Sequence, residues 1–400
     1  MAVPGILLRL LFPLKLILPQ SLNETRREDH GDGGEGEKQV ESHSPSIGRP
    51  PRSFKIASST VQKRDANGPR TPSGRRPNTS HPKPSTIKEA VAPLVQSDAL
   101  IQIDLSPRKP IAKPAWLKAR APMGETFHNL KKLARDLNLH TVCESAHCPN
   151  IGECWNHKTA TFMMLGNLCT RRCGFCAVPK GKPEPIDHSE PARVAYAVAQ
   201  LGLAHAVITS VNRDDDNLGA AQAFVNVIAE IRRQSPGTRV EVLTPDFQGV
   251  PEARRMVVAA RPEILNHNIE TVPRLYRVAK SGGRYERSLE FLAEAKREST
   301  AHTLGPIVTK TGIIVGMGEE MHELLGVFRD LADRKVDILT IGQYLRPSRD
   351  HLPMSRFYTP DEFAFLKHEA LQMGFRHVES GPLVRSSYHA HEQAQSTGLA

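Results

Sequence analysis

Outside residues 143–176 this 400-residue chain has no cysteine. That absence excludes a disulfide framework spread over the fold, and a chain of this length can bury a core without such staples. A long apolar run is also missing. The stretch from Ile6 to Leu18 is broken by Arg9, Pro13 and Lys15 and falls short of the roughly 20 apolar residues of a spanning helix. It lacks the charged start and small-residue cleavage site of a secretory signal, which leaves a translated stretch upstream of the true start or an organelle-targeting peptide. Aromatic residues make up only 5% of the chain. No basic stripe interleaved with aromatics occurs beyond residue 120, so neither nucleic acid nor a membrane is expected as a partner.

Charge of one sign is scarce wherever a fold is expected. Residues 1–120 hold 20 Lys and Arg against 11 Asp and Glu, whereas the remainder holds 33 against 32. The net +10 is therefore almost wholly a property of the first 120 residues. Those residues also carry 15 of the 31 prolines before Ala115, an acidic glycine run over 32–37 and a Ser/Pro/Arg-rich span over 44–84. Such a composition cannot offset its ordering entropy by burial, so 1–110 is expected to be disordered.

What the chain does have is six cysteines in two triplets. Cys143, Cys148 and Cys154 are spaced C-x4-C-x5-C; Cys169, Cys173 and Cys176 are spaced C-x3-C-x2-C. Three thiolates leave a four-iron cluster one ligand short, and an incomplete ligand set opens an iron to other chemistry. Structural zinc is the competing reading, since His147 or His157 could complete a Cys3His set at the first triplet. The second triplet has no such neighbour. Thr170, Arg171, Arg172, Gly174 and Phe175 fill its gaps, and arginines suit a negatively charged cluster with an anionic ligand.

From residue 160 the pattern alternates. Strands are expected at 161–165, 206–211, 239–243, 264–269, 311–315 and 337–344. Apolar residues at 3–4 spacing place helices at 191–201, 220–233, 251–260, 287–298, 321–334 and 360–373. This alternation predicts α/β structure with parallel strands and right-handed crossovers. Six units are too few for an eight-stranded barrel, so an open, partial (β/α)6 barrel is expected, with a doubly wound sheet as the alternative. Polar loops follow the strands at 212–216, 244–246, 270–271, 316–319 and 346–348, where a parallel barrel carries its chemistry.

The C-x3-C-x2-C form over 169–176 resembles that of the radical S-adenosylmethionine enzymes. Residues 115–390 are similar to the lipoyl synthase family within that group, on the stretches CESAHCPNIGECW (143–155), TSVNRDD (209–215), NHNIET (266–271), GQYLRPS (342–348) and GPLVRSSYH (381–389). A biotin-synthase-like enzyme would leave the upstream triplet and the terminal serine pair unexplained, and a ferredoxin would carry four cysteines per cluster.

The resemblance implies insertion of two sulfur atoms at C6 and C8 of an octanoyl chain held by a lysine of a lipoyl carrier domain. It implies two 4Fe-4S clusters and S-adenosylmethionine as cofactors. Cys169, Cys173 and Cys176 would bind the cluster that chelates S-adenosylmethionine. Cys143, Cys148 and Cys154 would bind the auxiliary cluster that supplies sulfur, with Ser387 as its fourth ligand. Asp214 and Glu319 are candidate S-adenosylmethionine contacts, and Arg385 is a candidate for positioning the terminal segment. His147 and His157 then have no ligand role. The implied organisation is an extension over 1–110, an auxiliary-cluster segment over 111–159, a barrel over 160–375 and a closing segment over 376–400. Expected partners are octanoylated carriers (the acyltransferase subunits of 2-oxoacid dehydrogenases and the glycine cleavage H protein), an electron donor such as ferredoxin or flavodoxin, and an iron–sulfur carrier. Free thiols point to a cytoplasmic location, or a mitochondrial one if the extension is a targeting segment.

Overall fold

The computed structural model describes residues 112–119, 124–157, 159–303 and 305–398; the extension over 1–110 lies outside them. Before the alternation begins, helix α1 (Glu125–Asp136), a two-residue strand β1 (His140–Thr141) and two short helices, α2 (Val142–Ser145) and α3 (Ile151–Asn156), carry the first cysteine triplet. They are fastened to the sheet by packing. Phe127 of α1 lies against Trp155 of α3 with ring centroids 5.0 Å apart, and Trp155 is completely buried. Stacked aromatics bury large areas and dominate local energetics.

The alternating part runs β2 (Thr159–Met164), α4 (Glu190–Gln200), β3 (His205–Ser210), α5 (Asn217–Gln234), β4 (Arg239–Leu243), α6 (Pro251–Ala259) and β5 (Ile264–Asn266). It continues through the short α7 (Tyr276–Ala279), α8 (Tyr285–Thr300), β6 (Val308–Val315), α9 (Met321–Asp333), β7 (Ile338–Gln343), α10 (Pro360–Gln372) and β8 (His377–Gly381), and ends in α11 (Ala390–Ser396). The eight strands lie side by side in sequence order. β1 pairs antiparallel with β2, and every later neighbour is parallel. The sheet is unclosed, with β1 and β8 at its edges, and β2 to β7 are the six parallel strands expected of the partial barrel.

Local chemistry explains these elements. β2 and β7 are buried at every position, as strands covered on both faces must be. The Asp216 side chain accepts from the Gly219 amide to start α5, and Arg232 and Arg233 sit in its last turn; both complement the helix ends. Capping boxes start α9, through Glu320 and Glu323, and α10, through Thr359 and Glu362. Each satisfies two orphan amides reciprocally.

One part of the sheet interior is polar. Glu241 of β4 accepts from Lys310 of β6 at 2.8 and 3.1 Å and from Asn266 of β5 at 3.0 Å, with His205 of β3 3.3 Å away. Burial alone would raise the Glu241 pKa, but Lys310 and His205 overcome it and hold the carboxylate at about 2. The charges tie β3, β4, β5 and β6 together from inside.

Candidate active site

The first triplet owes its shape to short helices and one turn. Thr141 caps α2 by accepting from the Glu144 amide at 3.3 Å, and Cys143 follows inside that helix. The chain then reverses through His147 at φ 49°, with the Cys148 amide donating to the Cys143 carbonyl at 2.9 Å. Cys154 sits in α3. The three thiols line one recess together with Thr161, Ser387 and Tyr388, and Arg385 also borders it. Neither His147 nor His157 lines that recess.

Ser387 reaches the recess because the terminal segment is threaded against the barrel. The Asn150 side-chain Nδ2 donates to the Leu383 carbonyl at 2.6 Å. Ser386 Oγ donates to Asn268 Oδ1 at 3.0 Å, and Thr161 Oγ1 donates to Ser387 Oγ at 2.8 Å. The Tyr388 hydroxyl donates to Glu153 at 3.2 Å, and His389 stacks on Tyr388 while lying 3.3 Å from the same carboxylate. Two glycines make the space. A Cβ on Gly342 of β7 would collide with the Val384 carbonyl oxygen. A Cβ on Gly312 of β6 would stand 2.8 Å from both Asn268 and Thr340 and 3.0 Å from Ser386 Oγ.

The second triplet lies on the loop leaving β2, at the carboxyl ends of the parallel strands. Amides of Arg171 and Asn212 both donate to Cys169 Sγ at 3.4 Å. The Gly174 amide donates to the Ala279 carbonyl, the Leu352 amide donates to the Gly174 carbonyl, and His351 Nε2 donates to the Cys176 carbonyl at 3.0 Å. Loops following β5 and β7 thus clamp this one.

Charged groups surround the second triplet in a fixed order. Arg171 grips Asp214 with a fork at 2.8 and 2.9 Å and reaches Asp246 at 2.5 Å, and Arg287 takes the other oxygen of Asp246 at 2.7 Å. Arg171 therefore outweighs the burial that would raise the Asp246 pKa, and holds that carboxylate far below its ordinary range. The buried Lys280 ammonium donates to the Asn268 carbonyl at 2.6 Å and to Tyr276 and Ser288 at 3.2 Å. Burial, with Lys280 next to it, pushes His267 down to about 3, so its ring is neutral. Glu270, raised by burial, and Lys280 both act on Cys173.

Of the two candidate contacts outside the cysteines, Asp214 has both oxygens on Arg171. Glu319 has both oxygens on loop amides, accepting from Gly316 at 2.5 Å and Met317 at 3.0 Å. From the sequence Arg171 was read only as charge suited to a cluster, and Asp246, Asn268 and Glu270 only as members of polar or family-like stretches; Lys280, at the end of α7, was not singled out. Thr161 carried no signal, being one β-branched position of a strand buried throughout.

All six cysteines are free. Burial first, and then Cys148, pushes the Cys143 thiol up to about 11; burial, with Cys176, pushes Cys173 to about 12. Such thiols are protonated at neutral pH, and any metal they bind must displace the protons. Among the described residues no three His, Cys, Asp or Glu side chains converge closely enough to hold a single metal ion. Three thiols facing one recess are soft ligands of the kind an iron–sulfur cluster takes.

The sequence matches the Radical SAM superfamily over residues 163–331 and the N-terminal domain of lipoyl synthase of the Radical SAM family over residues 97–148. It is 72% identical over 298 residues to lipoyl synthase of Koribacter versatilis, covering 74% of this chain and 96% of that protein. It is 58% identical to lipoyl synthase of Rubrobacter xylanophilus, covering 71% and 87%, and 55% identical to that of a Roseiflexus species, covering 73% and 95%. With the ligand-poor cysteine triplets placed as they are, this similarity shows that the chain belongs to the lipoyl synthase family of radical SAM enzymes.

Proposed function

We propose that this chain inserts two sulfur atoms at C6 and C8 of an octanoyl group carried on a lysine of a lipoyl carrier domain. The observation that carries the reading is the recess in which Cys143, Cys148 and Cys154 meet Ser387, a residue more than 230 positions downstream of the first of them. These four residues would hold the auxiliary 4Fe-4S cluster, and Cys169, Cys173 and Cys176 the cluster that binds S-adenosylmethionine. When bound, the clusters and S-adenosylmethionine supply the one-electron chemistry and the sulfur, which no side chain here can supply.

The chain's own residues orient and enclose. Arg171, anchored by Asp214 and Asp246, fixes the loop bearing the second triplet, so Asp214 acts on S-adenosylmethionine binding through that arginine. Glu319 shapes the Gly316–Gly318 turn at the same mouth by gathering its amides. Arg385 sets positive charge beside Cys148. Buried strands behind the mouth keep water from a reactive carbon centre. In domain terms, 111–159 serves the auxiliary cluster, 160–375 is the barrel and 376–400 closes the recess.

The substrate protein is a lipoyl carrier; the acyltransferase subunits of 2-oxoacid dehydrogenases and the glycine cleavage H protein are the forms proposed. A ferredoxin or flavodoxin would deliver electrons and an iron–sulfur carrier would restore the spent cluster. Among the described residues no helix is long and apolar enough to cross a membrane, and six free thiols agree with a reducing, cytoplasmic setting. The test is anaerobic reconstitution with iron and sulfide, followed by reduction with S-adenosylmethionine and an octanoyl-lysine peptide. Mass spectrometry should show the peptide gaining two sulfur atoms, and Cys148→Ala should cleave S-adenosylmethionine without sulfurating the peptide. Sulfuration by Cys148→Ala would overturn the proposal.

A further inference from the structure

We infer that Thr161 is a positioning residue for Ser387: its hydroxyl, delivered by strand β2, donates to Ser387 Oγ and holds that oxygen over the three-thiol recess. The inference rests on the role proposed above for Ser387 and names the residue that aims it. Thr161 is buried at 4% exposure, and its Oγ1 stands 2.8 Å from Ser387 Oγ across 226 positions of sequence. It also borders the recess that Cys143 lines. One side chain therefore faces the thiols' recess and touches the serine.

Three physical features make Thr161 a pointing device. First, it is anchored in the register of the sheet, opposite Val207 of β3. Second, a β-branched side chain has restricted freedom at χ1, so the direction of its hydroxyl is set by the strand. Third, a serine hydroxyl has one proton and two lone pairs. Occupying one lone pair from the Thr161 side fixes the Ser387 rotamer and leaves the rest of the oxygen for the recess. Ser386 is handled differently: its Oγ donates to Asn268 Oδ1. The two adjacent serines are thus sorted, one to the loop after β5 and one to the recess.

The test uses full-length protein, reconstituted anaerobically with both clusters, in four forms: Thr161→Val, Thr161→Ser, Ser387→Ala and the Val/Ala double variant. Two quantities are read: the Mössbauer or paramagnetic-resonance signature of the auxiliary cluster, and amide hydrogen exchange over residues 384–388. Valine keeps the shape of threonine without the donor. Thr161→Val should shift the signature toward that of Ser387→Ala and speed exchange of the tail about two- to twelvefold, the span one hydrogen bond supports. Thr161→Ser should restore both readings. In the double variant the valine should add nothing beyond Ser387→Ala.

If Ser387→Ala alters the signature and Thr161→Val leaves it unchanged, the positioning role is overturned while the ligand role of Ser387 stands. If valine shifts the signature equally with and without Ser387, Thr161 acts through Cys143 and the inference fails. If Ser387→Ala itself has the parent signature, the ligand reading fails, and the positioning role falls with it.

Discussion

Replacing Gly342 with alanine should uncouple the two halves of the reaction. Gly342 lies in β7, and a Cβ there would run into the Val384 carbonyl oxygen and come within 3.3 Å of Arg385 Nη1. The obstacle is backbone, so the terminal segment must move as a unit. Four side-chain hydrogen bonds hold that segment: from Asn150, Ser386, Thr161 and Tyr388. At about 1 kcal/mol net each, they supply roughly 4 kcal/mol, most of which offsets the roughly 1–2 kcal/mol per residue lost on ordering the segment, so the seat is marginal. Overpacking costs about 1–3 kcal/mol, a large share of what seats the tail. Occupancy of Ser387 at the recess should fall about 5- to 150-fold relative to the displaced state. The second triplet is fastened by other contacts, at Ala279, Leu352 and His351, and does not depend on Gly342. Single-turnover assays of Gly342→Ala should show S-adenosylmethionine cleavage within about twofold of the parent and peptide sulfuration reduced at least tenfold. Gly326→Ala is the control. A Cβ there meets nothing within 4 Å, and inside α9 alanine should stabilise by about 0.5–1 kcal/mol. Parent-level sulfuration by Gly342→Ala would refute the claim that the tail's seat is needed for sulfur transfer.

Three further outcomes are expected. Ser387→Cys should keep about eight irons per chain yet impair sulfur insertion, because a thiolate holds iron more firmly than a hydroxyl oxygen; full turnover would exclude ligand lability as the reason for a serine there. Glu241→Gln should lower unfolding stability by about 3–5 kcal/mol, since it strands the buried Lys310 ammonium, and the Glu241→Leu, Lys310→Met double variant should recover most of the loss in the same urea titration. His267, with its folded pKa near 3 against an ordinary 6.5, contributes stability that is complete above about pH 6.5 and lost as pH falls toward 3; His267→Gln should flatten the urea midpoint across that window, and an unchanged slope would assign the acid sensitivity to other groups.

The barrel strands were legible because burial on both faces leaves a plain signature. β2 reads Thr-Ala-Thr-Phe-Met-Met and is buried throughout, and capped helices with one apolar face separate it from its successors. β8 was missed for the converse reason. His-Val-Glu-Ser-Gly has one fully buried residue among five, so neither alternation nor an apolar run announces it, and its place comes from pairing with β7. The short helices over 142–156 were hidden by their own function, since cysteine spacing there serves the recess rather than a helical period.

The cysteines themselves were legible for a different reason: an unfilled ligand set is a deficiency that shows in spacing alone. What completes that set does not show. Ser387 came only from resemblance, and Thr161, Asn150, Asn268 and Glu153 are separated from their tail partners by 118 to 235 positions. No local pattern can encode such a pair. Each half is an ordinary residue for its element: a β-branched threonine in a strand, a serine in a turn. Their meeting depends on glycines at 312 and 342, whose missing side chains let the terminal segment lie against β6 and β7. The functional information in those strands therefore resides partly in what they omit. Alanine at 312, where only side chains must give way, should therefore impair sulfur transfer less than alanine at 342, where the obstacle is backbone.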